Sequence, residues 1–432
     1  MHQGPITAAQ EWRANWPIVF SALVAYSLIA VPSITLGLYM EPMIAEFGWT
    51  RSEFSAGLTI LAIISTPLAP LAGALADRFG ARRVVLPGVA LHALVFASFG
   101  LLTPSVWHWL GTWAIYAVVQ LLIRSMIWTG AISAAFTASR GLALAIFMSG
   151  TALTQVGGPL VTRWLIDDHG WRSGFLAIGL VWGGAGLLLV ALFFRDLRQR
   201  EIKTNDDTSA QQRPTASPGG LTLAQACRDW RMIAIAFAMF VQALVSTGFM
   251  IHLVPMLGGG GVPRTTATTI IALTGLVALA SQLGVGYLID RLKSSLLPTL
   301  CFVWPGLGYL ALMELLGGSH LGIGAAVLFI GFGAGTTLNV IVYLATRYAG
   351  LRNFGAIFGL ISSFMGLASG IGPLLAGMIF DATGSYSAYL MLAIAGAVLS
   401  GLALSRLGPY PDYDTLGTDE PGSLQRLDQF SF

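Results

Sequence analysis

The chain has 432 residues, 55% of them hydrophobic and only 10% charged, with 52 glycines and a net charge of +3. Soluble domains carry about 25% charged residues, so this composition excludes a soluble globular protein and points to a polytopic helical membrane protein. The small positive balance is no signature of nucleic-acid binding. Cys227 and Cys301 fall in different predicted segments and match no metal or redox spacing, so no disulfide, metal or other cofactor is expected.

The N-terminus, MHQGPITAAQEWRANW, lacks the short apolar run and small-residue cleavage site of a signal peptide. Apolar runs follow at 16–40, 53–75, 84–103, 108–136, 142–166 and 173–194. They resume at 231–256, 266–289, 297–317, 321–345, 354–380 and 386–406. Each is close to the roughly 20 residues that a helix needs to cross a bilayer, which predicts twelve spans in two six-helix bundles. The first bundle is expected over 1–194 and the second over 231–406, joined by a polar linker at 195–230 and followed by a tail at 407–432. The linker holds TNDDTSAQQRPTASPGG, poor in large apolar residues. With both termini inside, inner segments hold 18 of the 23 basic residues and outer ones only Arg51, Arg163, Arg172 and Arg264. That bias predicts cytoplasmic termini, in a bacterial inner membrane.

The fourth span carries the most informative residue. Arg124 lies 17 residues after Trp107 and 16 before Arg140, roughly 25 Å of helix each way at ~1.5 Å per residue. An arginine near mid-membrane costs about 2.5–3.5 kcal/mol on insertion scales and marks a functional site by default. Gln120, Arg124 and Trp128 are spaced i, i+4, i+8 and are expected to share one helix face. That face would suit a carboxylate. The alternative is an arginine tied to carbonyls of a neighbouring helix.

The two halves repeat. Asp77-Arg78 recurs as Asp290-Arg291 at an offset of 213, and Gly158-Pro159 and Asp167 recur as Gly372-Pro373 and Asp381 at an offset of 214. Applied to Arg124, the latter offset lands on Leu338, beside Asn339 in the tenth span. Parallel repeats of this kind place a ligand near the midplane between the halves. Gly73-Ala-Leu-Ala-Asp77-Arg78-Phe-Gly80-Ala-Arg82-Arg83 closely resembles the signature loop of the major facilitator superfamily. The resemblance implies a transporter in which Asp77, Arg78, Arg82 and their repeats Asp290 and Arg291 latch the inner gate. Asp77 would face the N-terminal end of the eleventh helix.

Several stretches are similar to the bacterial branch related to monocarboxylate transporters and oxalate/formate exchangers. These are Phe47-Gly-Trp-Thr-Arg-Ser-Glu53, Arg140-Gly-Leu-Ala-Leu-Ala, Gly170-Trp-Arg172, His252-Leu-Val-Pro255 and Phe380-Asp-Ala-Thr-Gly-Ser-Tyr386. Two departures stand out. The family's arginine in the eighth helix is here Gln282, and the paired acids of the tenth helix are here Thr337 and Asn339. Arg124 is therefore expected to take over the anion site, with Gln282 and Asn339 supplying neutral hydrogen bonds.

The resemblance implies that spans 1, 4, 7 and 10 line the path. They offer Tyr26 and Ser33, then Gln242 and His252, then Thr336, Asn339 and Tyr343 at helical spacing. With Trp128, such a wall would suit an acid with an aromatic or apolar body, paired to the guanidinium. No Asp or Glu lies mid-membrane, which argues against transport of cationic drugs and against sugar/proton machinery. A proton could travel on the substrate acid or on His252 or His92; anion exchange is equally open.

The expected function is secondary transport of a small organic anion, a monocarboxylate, by a monomer in the lipid bilayer. The alternatives are an efflux pump for amphipathic compounds and a non-transporting membrane sensor. No phosphate-binding loop, HExxH or nucleophile elbow suggests an enzyme.

Overall fold

In hydrocarbon every backbone N–H and C=O must be satisfied inside the chain, so apolar runs of this length fold as helices. The computed structural model describes residues 7–195, 219–292, 296–316, 322–350 and 352–411, and within these the side chains of residues 290–292, 296, 314–316 and 338 lie outside the described set. The described residues are almost wholly helical, with one isolated bridge between Gly220 and Gly350. Helices α1 (Ala8–Phe47), α2 (Arg51–Phe79), α3 (Ala81–Leu101) and α4 (Val106–Ala135) come first. The next apolar stretch, Arg140–Phe193, is divided by Gly170 at φ 81° and ψ 161°. A β-carbon added to Gly174 would sit 3.4 Å from Ile166. Residues eight apart in a straight helix are roughly 12 Å apart along its axis, so the chain reverses at Gly170. We count α5 as 140–169 and α6 as 171–193.

The second half holds α7 (Trp230–Gly259), α8 (Arg264–Leu292), α9 (Leu296–Leu316), α10 (Gly322–Ala349), α11 (Phe354–Thr383) and α12 (Ser387–Ser405). By length and apolarity alone, nine helices among the described residues could span a membrane, or ten if the pair Ile323–Thr337 and Asn339–Ala349, bent by 40°, is one span. Dividing 140–193 at Gly170 and adding the shorter apolar helix Leu297–Met313 brings the architecture to the twelve expected crossings. A short helix at Leu223–Ala226, capped by Thr222 and Gln225, precedes α7.

Packing differs between the two ends of the molecule. The end bearing the turns at Gly48, Gly170, Gly261 and Gly384 is the one the basic-residue bias assigns to the outside, and is termed the outer end here. There one apolar cluster draws on both halves, with Tyr39, Phe54, Trp109 and Phe175 beside Phe249, Ile251, Tyr309 and Tyr389. At the inner end the apolar core is split. One cluster around Trp128, Phe147 and Phe194 belongs to the first half, and another around Phe302, Tyr348 and Ile361 belongs to the second. Inner ends are secured within each half. Glu11 accepts from Thr137, Ala138 and Ser139 at 2.6–3.1 Å, holding the start of α5 to α1. Arg82 donates to the carbonyls of Phe194 and Ala191, both at 2.7 Å, which satisfies the C-terminal end of α6.

Candidate functional site

The outer closure is built from polar groups that meet across the halves. Asp381, at the end of α11, accepts from the backbone N–H of Arg51 at 3.1 Å and of Ser52 at 2.9 Å. It thereby neutralises the positive start of α2. The Arg51 guanidinium lies 3.7 Å from the centre of the Phe380 ring and donates to the Tyr386 hydroxyl. His252 on α7 joins the same network. Its Nδ1 pairs with Tyr386 at 2.8 Å, and its Nε2 lies 3.0 Å from both Ser55 Oγ and the Pro373 carbonyl. One turn deeper, Thr59 donates to the Gly370 carbonyl at 2.8 Å. A second lock joins α5 to α8, where Arg264 lies 3.5 Å from Asp167 and donates to the Leu38 carbonyl.

These two locks are related by the internal repeat. Arg51 and Arg264 are 213 residues apart, and Asp167 and Asp381 are 214 apart. The aspartate of each half thus reaches the arginine that opens a helix of the other half.

Inward of this plug lies a cavity of about 340 Å³ shared by the two halves. Gln120 and Arg124 line it from α4, Ser65 and Thr66 from α2, and Ser362 and Ser369 from α11. A second space of about 320 Å³ shares Ser33, Thr247 and Ser369 with it and adds Gln155, Gln242 and Tyr309. Volumes of this size suit small molecules. Arg124 is the one charged side chain among the lining residues of the two spaces.

The local backbone explains how Arg124 reaches the cavity. The helix of α4 runs to Gln120, tightens into a 3₁₀ turn over Leu121–Ile123, and opens at Arg124 with φ −59° and ψ 148°. A new helix then runs Ser125–Ala135. Arg124 therefore stands at the N-terminus of a half-helix, whose first N–H groups have no partner one turn back and carry the positive end of its dipole. The guanidinium makes one long contact, 3.5 Å to the Ser65 carbonyl. Tyr26 lies beside Arg124 and Ser125, its ring 4.8 Å from that of Phe147. A fixed cation and a half-helix N-terminus at one point make a site for an anion.

The break corrects the expected face. Across it Trp128 no longer follows Gln120 and Arg124. It is fully buried, packs against Phe194 and Phe147, and donates to the Ile123 carbonyl at 2.9 Å. His252 is corrected too: it belongs to the plug, not the cavity wall. His92 is buried and paired with Tyr116 at 2.7 Å. On α10, Thr336 is fully buried beside Cys301 and its hydroxyl lies 3.4 Å from the Gly333 carbonyl. Asn339 donates to the Gln282 carbonyl at 2.8 Å, which ties α10 to α8. Tyr343 packs 5.9 Å from the Tyr410 ring near the inner end. None of these three, nor Gln282, is among the lining residues of the two spaces.

The structure thus gathers Arg124, Gln120 and Gln242 around the two spaces, sets Tyr26 beside Arg124 but outside their lining, and places Trp128, His252, Thr336, Asn339, Tyr343 and Gln282 elsewhere. Of the expected latch, Arg82 anchors α6 within its own half, and Arg78 lies 5.3 Å from the ring of Phe79. Asp77 lies with Arg78 in the last turn of α2. The side chains of Asp290 and Arg291 lie outside the described residues. Trp109 is fully buried and donates to the Phe54 carbonyl at 2.9 Å, whereas Trp107, at the start of the same helix, is 82% exposed, as suits an interfacial belt residue. Ser362 and Ser369 were missed. Their signal was present in the spacing of Gly359, Ser362, Ser363, Gly366, Ser369 and Gly370, which share one face of α11.

Comparison with known proteins matches residues 18–361 to the Major Facilitator Superfamily. Human monocarboxylate transporter 11 is 25% identical over 403 residues, covering 88% of this chain and 81% of that protein. The gallate transporter of Pseudomonas putida is 27% identical over 424 residues, covering 85% of this chain and 90% of its own. Among solved structures, a bacterial homologue of the human lysosomal transporter Spinster, in an inward-facing and unoccupied conformation, superposes with a TM-score of 0.66. It is 16% identical and covers 90% of this chain and 94% of its own.

Proposed function

The chain belongs to the major facilitator superfamily, an integral membrane transporter and not an enzyme, and from that premise we propose that it moves a small organic anion by alternating access. The observation that carries this reading is Arg124, exposed to the central cavity at a helix break where no lining carboxylate offsets its charge. An anion entering the cavity would exchange water for a guanidinium and a half-helix N-terminus, both of which favour negative charge. A lipophilic cation would meet the opposite field. The substrates for which two relatives are named, monocarboxylates and gallate, agree with a monocarboxylate that has an aromatic or apolar body.

In this proposal the plug at the outer end and the cavity inward of it make the structure an inward-facing state, with both termini in the cytoplasm of a bacterial cell and the chain acting as a monomer. Residues 1–194 and 231–406 act as the rocking bundles, and Asp77 latches the inner end in the opposite state. Proton symport and anion exchange both suit a cavity without a carboxylate; in the first, the substrate acid itself carries the proton.

The test is thermal unfolding of the purified protein in detergent against mono-, di- and aromatic carboxylates, for wild type and Arg124→Gln. A ligand at a hundred times its dissociation constant stabilises the folded state by about 2.7 kcal/mol. The expected result is a raised midpoint for monocarboxylates with wild type. Arg124→Gln should weaken their binding about tenfold or more, as a charge-assisted hydrogen bond contributes about 1.5–3 kcal/mol. Equal binding to both proteins would make Arg124 structural. Stabilisation by lipophilic cations alone would point to efflux instead.

A further inference from the structure

The hydrogen bonds around His252 run in one direction only. A guanidinium only donates, so Arg51 gives its bond to the Tyr386 oxygen and the Tyr386 O–H is left to point elsewhere. Its other described partner is His252 Nδ1, at 2.8 Å. On the far side of the ring, Nε2 lies 3.0 Å from the Pro373 carbonyl, and a carbonyl only accepts. Nε2 therefore carries the proton, while Nδ1 is bare and accepts from Tyr386. Ser55 Oγ, also 3.0 Å from Nε2, shares that N–H. The closed plug is thus satisfied by a neutral imidazole in one tautomer.

An imidazolium does not fit the same network. A proton on Nδ1 would make the ring a second donor to the Tyr386 oxygen, beside the Arg51 guanidinium, and would strand the Tyr386 O–H without an acceptor. His252 is fully buried, where a stranded donor and a second cation are both costly. The charged and titratable groups that face the ring are Arg51 from α2, Asp381 from α11 and Tyr386 at the start of α12, with Glu41 of α1 in range of Tyr386. Asp381 is already committed to the backbone N–H groups of Arg51 and Ser52. Tyr389, the next tyrosine along α12, donates to the Val245 carbonyl at 2.8 Å instead.

The ring and its partners divide between the halves. His252, Pro373 and Tyr386 belong to the second, Arg51 and Ser55 to the first. When the outer ends part, Arg51 leaves the Tyr386 oxygen, which is then free to accept from a protonated Nδ1. We propose that His252 is a proton-binding site of the outer closure: it takes a proton from the outer solution when that end is open, and must return it there before the end can close. Acid outside then holds the carrier outward-facing, because a ligand shifts a two-state balance toward the state that binds it. Histidine suits this role, as its ordinary titration spans physiological pH. The same geometry argues against His252 as a carrier of the proton across the membrane, since the closed plug admits only the neutral ring. The inference rests on alternating access and on no property of the substrate.

The experiment reads the outer ends directly, by double electron–electron resonance between spin labels in the full chain, held in lipid nanodiscs. The labels sit on Ser105→Cys, before α4, and Gly259→Cys, at the end of α7, in a background lacking Cys227 and Cys301. Both positions are exposed, and a β-carbon at Gly259 would meet nothing within 4 Å. Two distances are expected, one for closed and one for parted outer ends. In this parent the ratio of parted to closed molecules should rise about tenfold or more from about pH 8 to about pH 5, as each unit below the titration adds a factor of ten to the state that alone binds the proton. His252→Gln, which keeps a donor and an acceptor but takes no proton, should close like the parent in the alkaline sample and show no rise in acid. His92→Gln alters the other buried histidine among the described residues, paired with Tyr116 inside one half, and should keep the full rise. A rise that persists in His252→Gln, or is lost in His92→Gln, overturns the assignment to His252. A parent ratio that is flat or falls in acid overturns the switch, while two populated distances leave alternating access standing. A glutamine variant parted in both samples makes His252 a packing element and overturns the switch too. One fixed distance in every sample overturns alternating access itself.

Discussion

The plug and the cavity occupy the same interface between the same two halves, and they treat polar side chains in opposite ways. At the plug, Asp381 takes two backbone N–H groups of α2, and His252 is held by Ser55, Tyr386 and Pro373. Around the cavity, among the described residues, Arg124 has one contact of 3.5 Å, and the hydroxyls of Ser33, Thr66, Thr247, Ser362 and Ser369 have no hydrogen-bond partner. Satisfied groups make the plug a closed contact that favours one arrangement of the halves. Unsatisfied groups make the cavity a place where a ligand adds the missing bonds. A transporter needs both, because a ligand can shift the balance between states only by the difference in how it meets them.

Three substitutions in the plug would break or sharpen this contrast. Each is read by the rate at which an impermeant maleimide, applied from the outer side, labels a cysteine placed at the cavity residue Leu61 in a background lacking Cys227 and Cys301. The largest effect is expected from Gly370→Val. A β-carbon there would lie 2.2 Å from the Ala62 methyl and 2.8 Å from the Leu58 carbonyl. Overpacking of this kind costs about 1–3 kcal/mol, so labelling should rise about tenfold to a hundredfold as α2 and α11 separate. Asp381→Ala comes next. It leaves the N–H groups of Arg51 and Ser52 without their acceptor, while the Thr50–Glu53 capping box remains, at a cost of about 1 kcal/mol, for roughly a fivefold rise.

The smallest effect belongs to Asp167→Asn. Its pair with Arg264 is about one-third exposed on each side, at 30% and 36%, and the separation is 3.5 Å. Exposed pairs contribute about 0–1 kcal/mol, so the change should stay under about fivefold. If Asp167→Asn opened the outer end more than Gly370→Val, the plug would be held by charge and not by close packing, and the comparison would need to be redrawn.

Much of the architecture was legible before any coordinates. Apolar run length forces spanning helices, and the offsets of 213 and 214 located the repeat that later relates the two locks. Arg124 was legible for the same reason: a mid-membrane cation is costly enough to be kept only for a purpose. The details of its neighbourhood were not. Placing Trp128 beside it assumed an unbroken helix, and a single residue at ψ 148° turns the following segment away. Thr336 was misplaced for a different reason. An apolar helix in a membrane has no solvent-facing side to set its phase, so spacing shows which residues share a face but not what that face meets.

His252 shows the same limit at the level of the whole molecule. Its spacing from Gln242 suited a cavity wall, yet it lies one or two turns too far toward the outer end, where Ser55 and Tyr386 close around it. The serines of α11 escaped notice because hydroxyls in membrane helices are usually self-satisfied, and only coordinates show which ones are not.

The amino-acid sequence alone determined that this is a membrane-embedded, twice-repeated helical protein with one arginine at mid-membrane depth, because hydrophobicity, length and charge act on the chain locally. Tertiary structure decided which end of the interface is closed, that α4 breaks at Arg124, and which polar groups are left without partners. Those depend on where two helices from opposite halves meet, and a contact between residues more than 300 positions apart, such as Arg51 with Asp381, is written in neither segment by itself.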